Sequence, residues 1–323
     1  MTISARLFRV GSDRPETVDL DDRLVDGLDP RQLLWVDVTA DPERQPELIR
    51  SIDEQLRLGG ALADGASATG TSVRFGHETV SIHVLGLSDS DGHGVRPVAL
   101  HITAAPNRVV SLHVEPVGRL SQPIEVVAAD PRFGRLDAGT FMGLLLDGML
   151  DGYFSEVERI ERVIDDLDER ALSDAGTDPL LDELVAIRAR IALLRRSLAP
   201  QREVFASLLR PVEDQELSPV GWPWPGLPER LERALDATEQ ARQQLLGSFD
   251  IVMTRVGQRT NDLMRVLTVI SAVLLPSVVV GGVMGMNFKA PLFDDPGNFP
   301  VVILAMALLA LLILGVARFR HWI

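Results

Sequence analysis

The chain is 323 residues long, has no cysteine, and carries 46 acidic against 32 basic side chains, a net charge of −14. No disulfide framework or thiolate metal site is therefore available, and the acidic balance speaks against the basic footprint of a nucleic-acid binder. The polarity is unevenly spread: Val266 to Phe288 and Pro296 to Ala317 are runs of 23 and 22 residues without a charge, and a helix of roughly 20 residues crosses a ~30 Å hydrocarbon layer.

The opening MTISARLFRV lacks the basic, apolar and small-residue succession of a secretory signal, so the N-terminal part is expected in the cytoplasm. Residues 1–136 alternate short β-like runs with Gly- and Asp-rich turns, the pattern of an α/β domain. Its clearest strands are Leu33 to Val38, Thr79 to Leu87, Val98 to Thr103 and Arg108 to Val114. Asp41 followed by Pro42 reads as the N-cap and first-turn proline of a helix running through Leu48, and Gly59 to Ser72 reads as a loop. His83, His101 and His113 fall inside strands, where a structural role is expected rather than metal ligation.

Over 137–227 the period changes. Val157, Ile160, Ile164, Leu167 and Ala171, then Leu180, Leu184, Ile187, Ile191, Leu194 and Leu198, repeat at steps of three and four. These are heptad-like seams on two long helices joined by SDAGTDP, expected to pack as an antiparallel pair. Glu156, Glu158, Glu161, Asp165, Asp166, Asp168 and Glu169 read as a solvated coiled-coil face. After the breaker cluster GWPWPGLP, Pro228 opens a further helix. The 47 residues from Glu229 to Leu275 contain no proline, a rod of roughly 70 Å at ~1.5 Å per residue.

Residues 228–288 therefore read as a stalk helix continuing into a first membrane helix. Residues 289–295 read as an extracytoplasmic loop, and 296–323 as a second membrane helix with a basic tail. Arg255, Arg259 and Arg265 precede the first span and Arg318 and Arg320 follow the second, against a lone Lys289 between them. Both termini are thus expected on the cytoplasmic side of the cell membrane.

The first apolar run closes on Gly285-Met286-Asn287, after MRVLTVISAVLLPS. Alone, this tripeptide can simply end a helix, with Gly285 in the left-handed conformation and Asn287 capping or turning. In its setting it resembles the signature that closes the first of two C-terminal membrane helices in the CorA magnesium/cobalt transporter superfamily. PNRVVSLHVEP, LLLDGMLDGYFSEVERIERVIDDLDERAL, IALLRRSLAPQREVFASLLRP and RFRHWI are also similar to the corresponding family segments, so the resemblance spans nearly the whole chain and is weakest over residues 1–75. It implies a funnel-shaped homopentamer in the lipid bilayer, with a cytoplasmic α/β domain, a coiled-coil stalk of long helices and two transmembrane helices. The first of these would line a central pore in five copies.

The resemblance further implies passage of Mg2+, with Co2+ or Ni2+ as additional permeants, through a selectivity filter of Gly285, Met286 and Asn287. Magnesium dehydrates reluctantly and asks for octahedral oxygen geometry, so neutral amide oxygens can select it through its waters and still release it. Walking back from Asn287 at helical spacing gives a pore-lining face of Gly282, Val278, Leu275, Ser271, Leu267, Met264 and Asn261, whose apolar rings can gate by dewetting. Val278 stands where many relatives carry a hydroxyl, and Met284 where an aromatic residue is common. In the outer loop, which lacks the common Met-Pro-Glu motif, Asp294 and Asp295 can concentrate cations while Lys289 opposes them.

In the family, Mg2+ held between subunits by carboxylates keeps the channel closed, so internal magnesium shuts its own entry route by linkage. The regulatory carboxylate corresponds to Asp64. Its partner position falls on Gly226, which leaves Glu229 and Glu232 as substitutes. The alternative readings are a Zn2+ transporter of the related ZntB branch, proton-coupled or not, and a membrane-tethered metal sensor that does not conduct. No G-x-x-x-x-G-K-[ST] loop and no nucleophile with a matching base stands out, so neither a nucleotide partner nor enzymatic activity is expected.

Overall fold

The computed structural model describes residues 2–9, 15–29, 31–66, 70–88, 95–120, 137–172, 178–208, 226–285 and 299–320. A seven-stranded sheet forms from β1 (Thr2–Arg9), β2 (Glu16–Val18), β3 (Gln32–Thr39), β4 (Ser72–Phe75), β5 (Val80–Ser88), β6 (Arg96–Ala105) and β7 (Arg108–His113). Its order is β2-β1-β3-β7-β6-β5-β4; β3 and β7 run parallel and every other neighbouring pair antiparallel.

The central strand explains why its sequence does not alternate. Leu34, Val36 and Val38 pack into one core with Ile49, Ile52, Leu56 and Leu62. Trp35 points to the other face, where its ring lies 5.8 Å from Phe141 and Phe141 lies 5.2 Å from Phe8. A strand covered on both faces needs apolar residues at successive positions, which is what Leu33 to Val36 supply. Polar groups of β3 and β7 link to one another: Trp35 Nε1 donates to Ser111 Oγ at 3.0 Å, Ser111 Oγ donates to Asp37, and His113 Nε2 lies 3.0 Å from Asp37 Oδ1.

Two local expectations are corrected here. The helix after β3 is α2 (Pro46–Gln55), not one opened by Pro42. Pro46 would fall in the interior of a helix begun at Pro42, where it lacks an N–H and its ring clashes with the preceding turn. Residues 41–45 form a turn instead, with the Asp41 carboxylate accepting from the Glu43 N–H at 3.0 Å. The stretch Gly59 to Ser72 is also not all loop, because it contains the short helix α3 (Ala61–Ala66). Asp53 stabilises α3 from a distance in sequence: its carboxylate accepts from the amides of Gly60 (2.7 Å), Leu62 (2.7 Å) and Ala63 (3.2 Å). A further short helix, α1 (Asp22–Asp26), lies between β2 and β3.

The helical half comprises α4 (Ala138–Leu172), α5 (Asp178–Leu198), α6 (Gln201–Ser207), α7 (Leu227–Met284) and α8 (Phe299–Phe319). All eleven seam residues named above on α4 and α5 are buried, none more than 5% exposed. Glu156 departs from the solvated face expected of it. It is 2% exposed and accepts charge-assisted bonds from Arg159 and, across the helix pair, from Arg190. A carboxylate beside the seam survives burial when guanidinium groups satisfy it from two sides.

By contacts the chain forms two compact units, residues 1–167 with 181–248, and residues 168–180 with 249–323. The first holds the sheet and the packed parts of α4 to α7. The second holds the end of α4, the beginning of α5, α7 from Phe249 onward, and α8. Helix α7 passes through Pro276 without ending. The lost N–H costs the bond to the Ala272 carbonyl, a cost that membrane helices tolerate.

Candidate functional site

Two helices are long and apolar enough to cross a membrane, Leu227–Val283 and Pro300–Phe319, and the most apolar stretch of each is only 6% buried. Within the second unit, Val269 is 6% exposed, and Val273, Pro276 and Val280 are half-buried on the same side of α7. Thr268, Val269 and Ala272 face Leu312, Ile313, Val316 and Ala317 of α8 across a cleft of about 320 Å3.

The residues expected to line a pore lie on the far side. At ~100° per residue, Met264, Leu267, Ser271, Leu275, Val278 and Gly282 fall in one sector roughly opposite Val269, with Asn261 at its edge. All seven are exposed, Met264 by 60%, Leu267 by 58%, Leu275 by 67% and Val278 by 68%. They form the strip farthest from α8 within a broader uncovered surface that also includes Leu263, Val266, Ile270, Leu274 and Val279.

Gly285 directly follows α7, and its N–H donates to the Gly281 carbonyl at 3.0 Å. It does not adopt the left-handed conformation considered for it. Met286, Asn287, Lys289, Asp294 and Asp295 lie outside the described residues.

The three carboxylates considered for regulation all belong to the first unit and are exposed. Asp64 is on α3, with its backbone carbonyl 3.5 Å from Arg74 Nη1. Glu229 lies in the first turn of α7. Glu232 is held by Arg202 of α6 in a two-pronged pair at 2.8 and 2.6 Å. Among the described residues of this single chain, no group of three or more His, Asp or Glu side chains is arranged to hold a metal ion.

An anchor at the start of α7 was not singled out in the sequence. Arg230 inserts between two aspartates of α4: its Nε sits 2.7 Å from Asp147 Oδ1 in an ion pair without hydrogen-bond alignment, and its Nη2 donates to Asp151. The guanidinium also stacks 5.5 Å from the Phe154 ring centre. Burial raises the Asp147 carboxyl above its ordinary range, while Arg230 pulls it back down. The signal was present: two aspartates four residues apart in the apolar stretch LLLDGMLDGYF ask for a cation. Its position, eighty residues downstream, could not be read locally.

Helices of this kind, appended to this sheet, match a known family. The model of the CorA-like Mg2+ transporter proteins matches residues 30–320. The chain belongs to this family. Among CorA-like relatives, it is 27% identical over 183 residues to the cobalt/magnesium transport protein CorA of Thermotoga maritima, covering 55% of this chain and 51% of that one. The matched part thus spans about half the length of that relative. It is 28% identical over 251 residues to the divalent cation transporter CmaX of Pseudomonas aeruginosa, covering 77% of this chain and 73% of that one. It is 24% identical over 262 residues to the zinc transport protein ZntB of Yersinia enterocolitica, covering 74% and 75%. A solved full-length CmaX structure superposes with a TM-score of 0.69 at 25% identity, covering 99% of this chain and 97% of that one.

Proposed function

We propose that this CorA-family chain is a passive divalent-cation channel of the cell membrane, with both termini cytoplasmic and Mg2+ as its principal ion. The observation that carries the reading is the exposed strip of α7, from Asn261 to Gly282, which faces away from α8 and leads to Gly285. A homopentamer covers that strip by placing five copies around an axis. Apolar rings of Met264, Leu267 and Leu275 then form a constriction that gates by wetting, and Asn287 at its outer end holds the hydrated ion. Gradient and membrane potential suffice as driving force. The potential contributes ~2.3 kcal/mol per unit charge per 100 mV, twice that for a divalent ion.

Glu232, engaged by Arg202, is the weakest of the three regulatory candidates. Asp64 and Glu229, both exposed, are carboxylates that a neighbouring copy can complete into a Mg2+ site.

A zinc-transporting reading has its own support in the similarity to ZntB, in Lys289 and in the altered outer loop. Against it, Gly285-Met286-Asn287 keeps the full tripeptide of the magnesium/cobalt signature that the sequence resembles. Ion-resolved uptake by liposomes carrying the purified chain separates the readings. We expect Mg2+ flux that falls when internal Mg2+ is raised, and loss of flux or of selectivity in Asn287→Ala. Zinc uptake accelerated by an inward proton gradient, without Mg2+ flux, overturns the magnesium assignment. A metal response that Asn287→Ala leaves intact, with no flux in either protein, identifies a sensor instead.

A further inference from the structure

The cleft between α7 and α8 has an uneven wall. Val269, Ala272, Leu312, Ile313, Val316 and Ala317 offer only hydrocarbon. Thr268 adds its methyl, because its hydroxyl donates to the Met264 carbonyl at 2.7 Å. One charged group completes the lining, Arg320, one residue past the end of α8. Among the described residues no carboxylate pairs with Arg320, whereas Arg265, three residues before Thr268, has Asp262 at 3.4 Å. At about 320 Å3 the cleft is as large as the smaller ligand pockets, which begin near ~300 Å3.

Thr268 to Ala272 lies just inside the first charge-free run, and Ala317 ends the second. The cleft therefore straddles the boundary between apolar and basic sequence at which a bilayer passes from acyl chains to headgroups. Water has no partners along such a wall, and an acyl chain does not reach a guanidinium favourably unless an anion accompanies it. A hydrocarbon slot with Arg320, unpaired among the described residues, at its headgroup end is complementary to a molecule with an apolar tail and an anionic head.

We infer that this cleft binds one anionic phospholipid per chain, with an acyl chain between α7 and α8 and the phosphate group on Arg320. Zwitterionic lipid fits the slot equally well but brings a cationic headgroup beside Arg320. The discrimination is then set by the basic end of the site, where each Lys or Arg contributes about a five-fold preference for anionic lipid. Because the bound chain fills the space between α7 and α8, its presence fixes how the two helices pack and so which side of α7 is turned away from α8.

The inference rests on the bilayer placement of α7 and α8, which is checked separately by whether the chain leaves membranes only with detergent. Release into plain aqueous buffer sinks that placement. For the cleft itself, the full chain is delipidated in neutral detergent, and binding of phosphatidylglycerol and of phosphatidylcholine with the same acyl chains is counted by native mass spectrometry. We expect one phosphatidylglycerol per chain, bound about five-fold more tightly than phosphatidylcholine. Arg320→Gln should bring the two lipids level, Arg320→Lys should keep the preference, and Ala272→Leu, which fills the slot, should weaken both. Equal binding of both lipids to the unaltered chain, or a preference that survives Arg320→Gln, overturns the proposal. Since the chain has no cysteine, Ala272→Cys gives a single reactive site. Oxidative crosslinking between copies at that position would show that a neighbouring chain occupies the cleft, which also overturns it.

Discussion

Leucines behave in opposite ways in the two units of this molecule. In the sheet, Leu33, Leu34 and Leu100 are fully buried; in the apolar helices Leu275, Leu308 and Leu311 are 67%, 59% and 64% exposed. Polar groups show the reverse economy. The sheet admits Ser111, Asp37 and His113 by linking them to one another, whereas in α7 the hydroxyls of Thr260, Thr268 and Ser277 turn back onto the carbonyls of Val256, Met264 and Val273. One region is built for water and hides hydrocarbon. The other satisfies its own polar atoms and shows hydrocarbon, as a structure solvated by lipid must.

That contrast can be broken most sharply at Leu308, in the middle of α8. Leu308→Lys should cost ~3 kcal/mol of membrane insertion, the penalty for a charge near the centre of a spanning helix. Translocation assays on α8 with and without the substitution check this, and insertion at unchanged efficiency would remove lipid as the solvent of α8.

The next effect lies in the sheet. His101 is 4% exposed, packed edge-on against Gly65, and its pKa is lowered from 6.5 to about 4, first by burial and then by the neighbouring His83, with Arg74 adding to the effect. An unfolded chain therefore takes up a proton below about pH 6.5 that the folded one refuses until about pH 4. No stability is lost above that window. Within it stability falls as the pH falls, by up to ~3 kcal/mol in total. Denaturant unfolding followed from pH 7 to 4 should show this slope, and His101→Asn should flatten it.

The smallest effect is expected at Val185, on α5 in the first unit. It is 67% exposed, more than Leu308. Val185→Lys should change stability by no more than ~0.5 kcal/mol, because the same exposure there means water. A large loss at Val185 would mean that a partner surface covers it.

Several elements were legible from local pattern. The seams of α4 and α5 are strictly periodic, so steps of three and four identify the buried side without any partner being known. The strands β3, β5, β6 and β7 stand out for a different local reason, as runs of β-branched and apolar residues between turn residues. Helix α3 did not, because its amides are capped by Asp53 from the preceding helix rather than by its own sequence. Pro42 misled because the rule for a first-turn proline fits two prolines four residues apart, and only the second leaves the helix interior free. Glu156 and Arg230 were missed as structural charges for one shared reason: each has counter-charges on another helix, Arg190 beside the local Arg159 for the first and Asp147 and Asp151 for the second.

Composition and periodicity alone determined the division into an α/β region, long seamed helices and two charge-free spans. These are properties of neighbouring residues, set by the repeat of strand and helix and by the length of an apolar run. Tertiary structure decided which face of α7 packs on α8 and which stays uncovered, and it decided that Glu232 is already engaged by Arg202. Each depends on where a distant segment arrives, and the free energy of such contacts is written in pairs of residues rather than in either one.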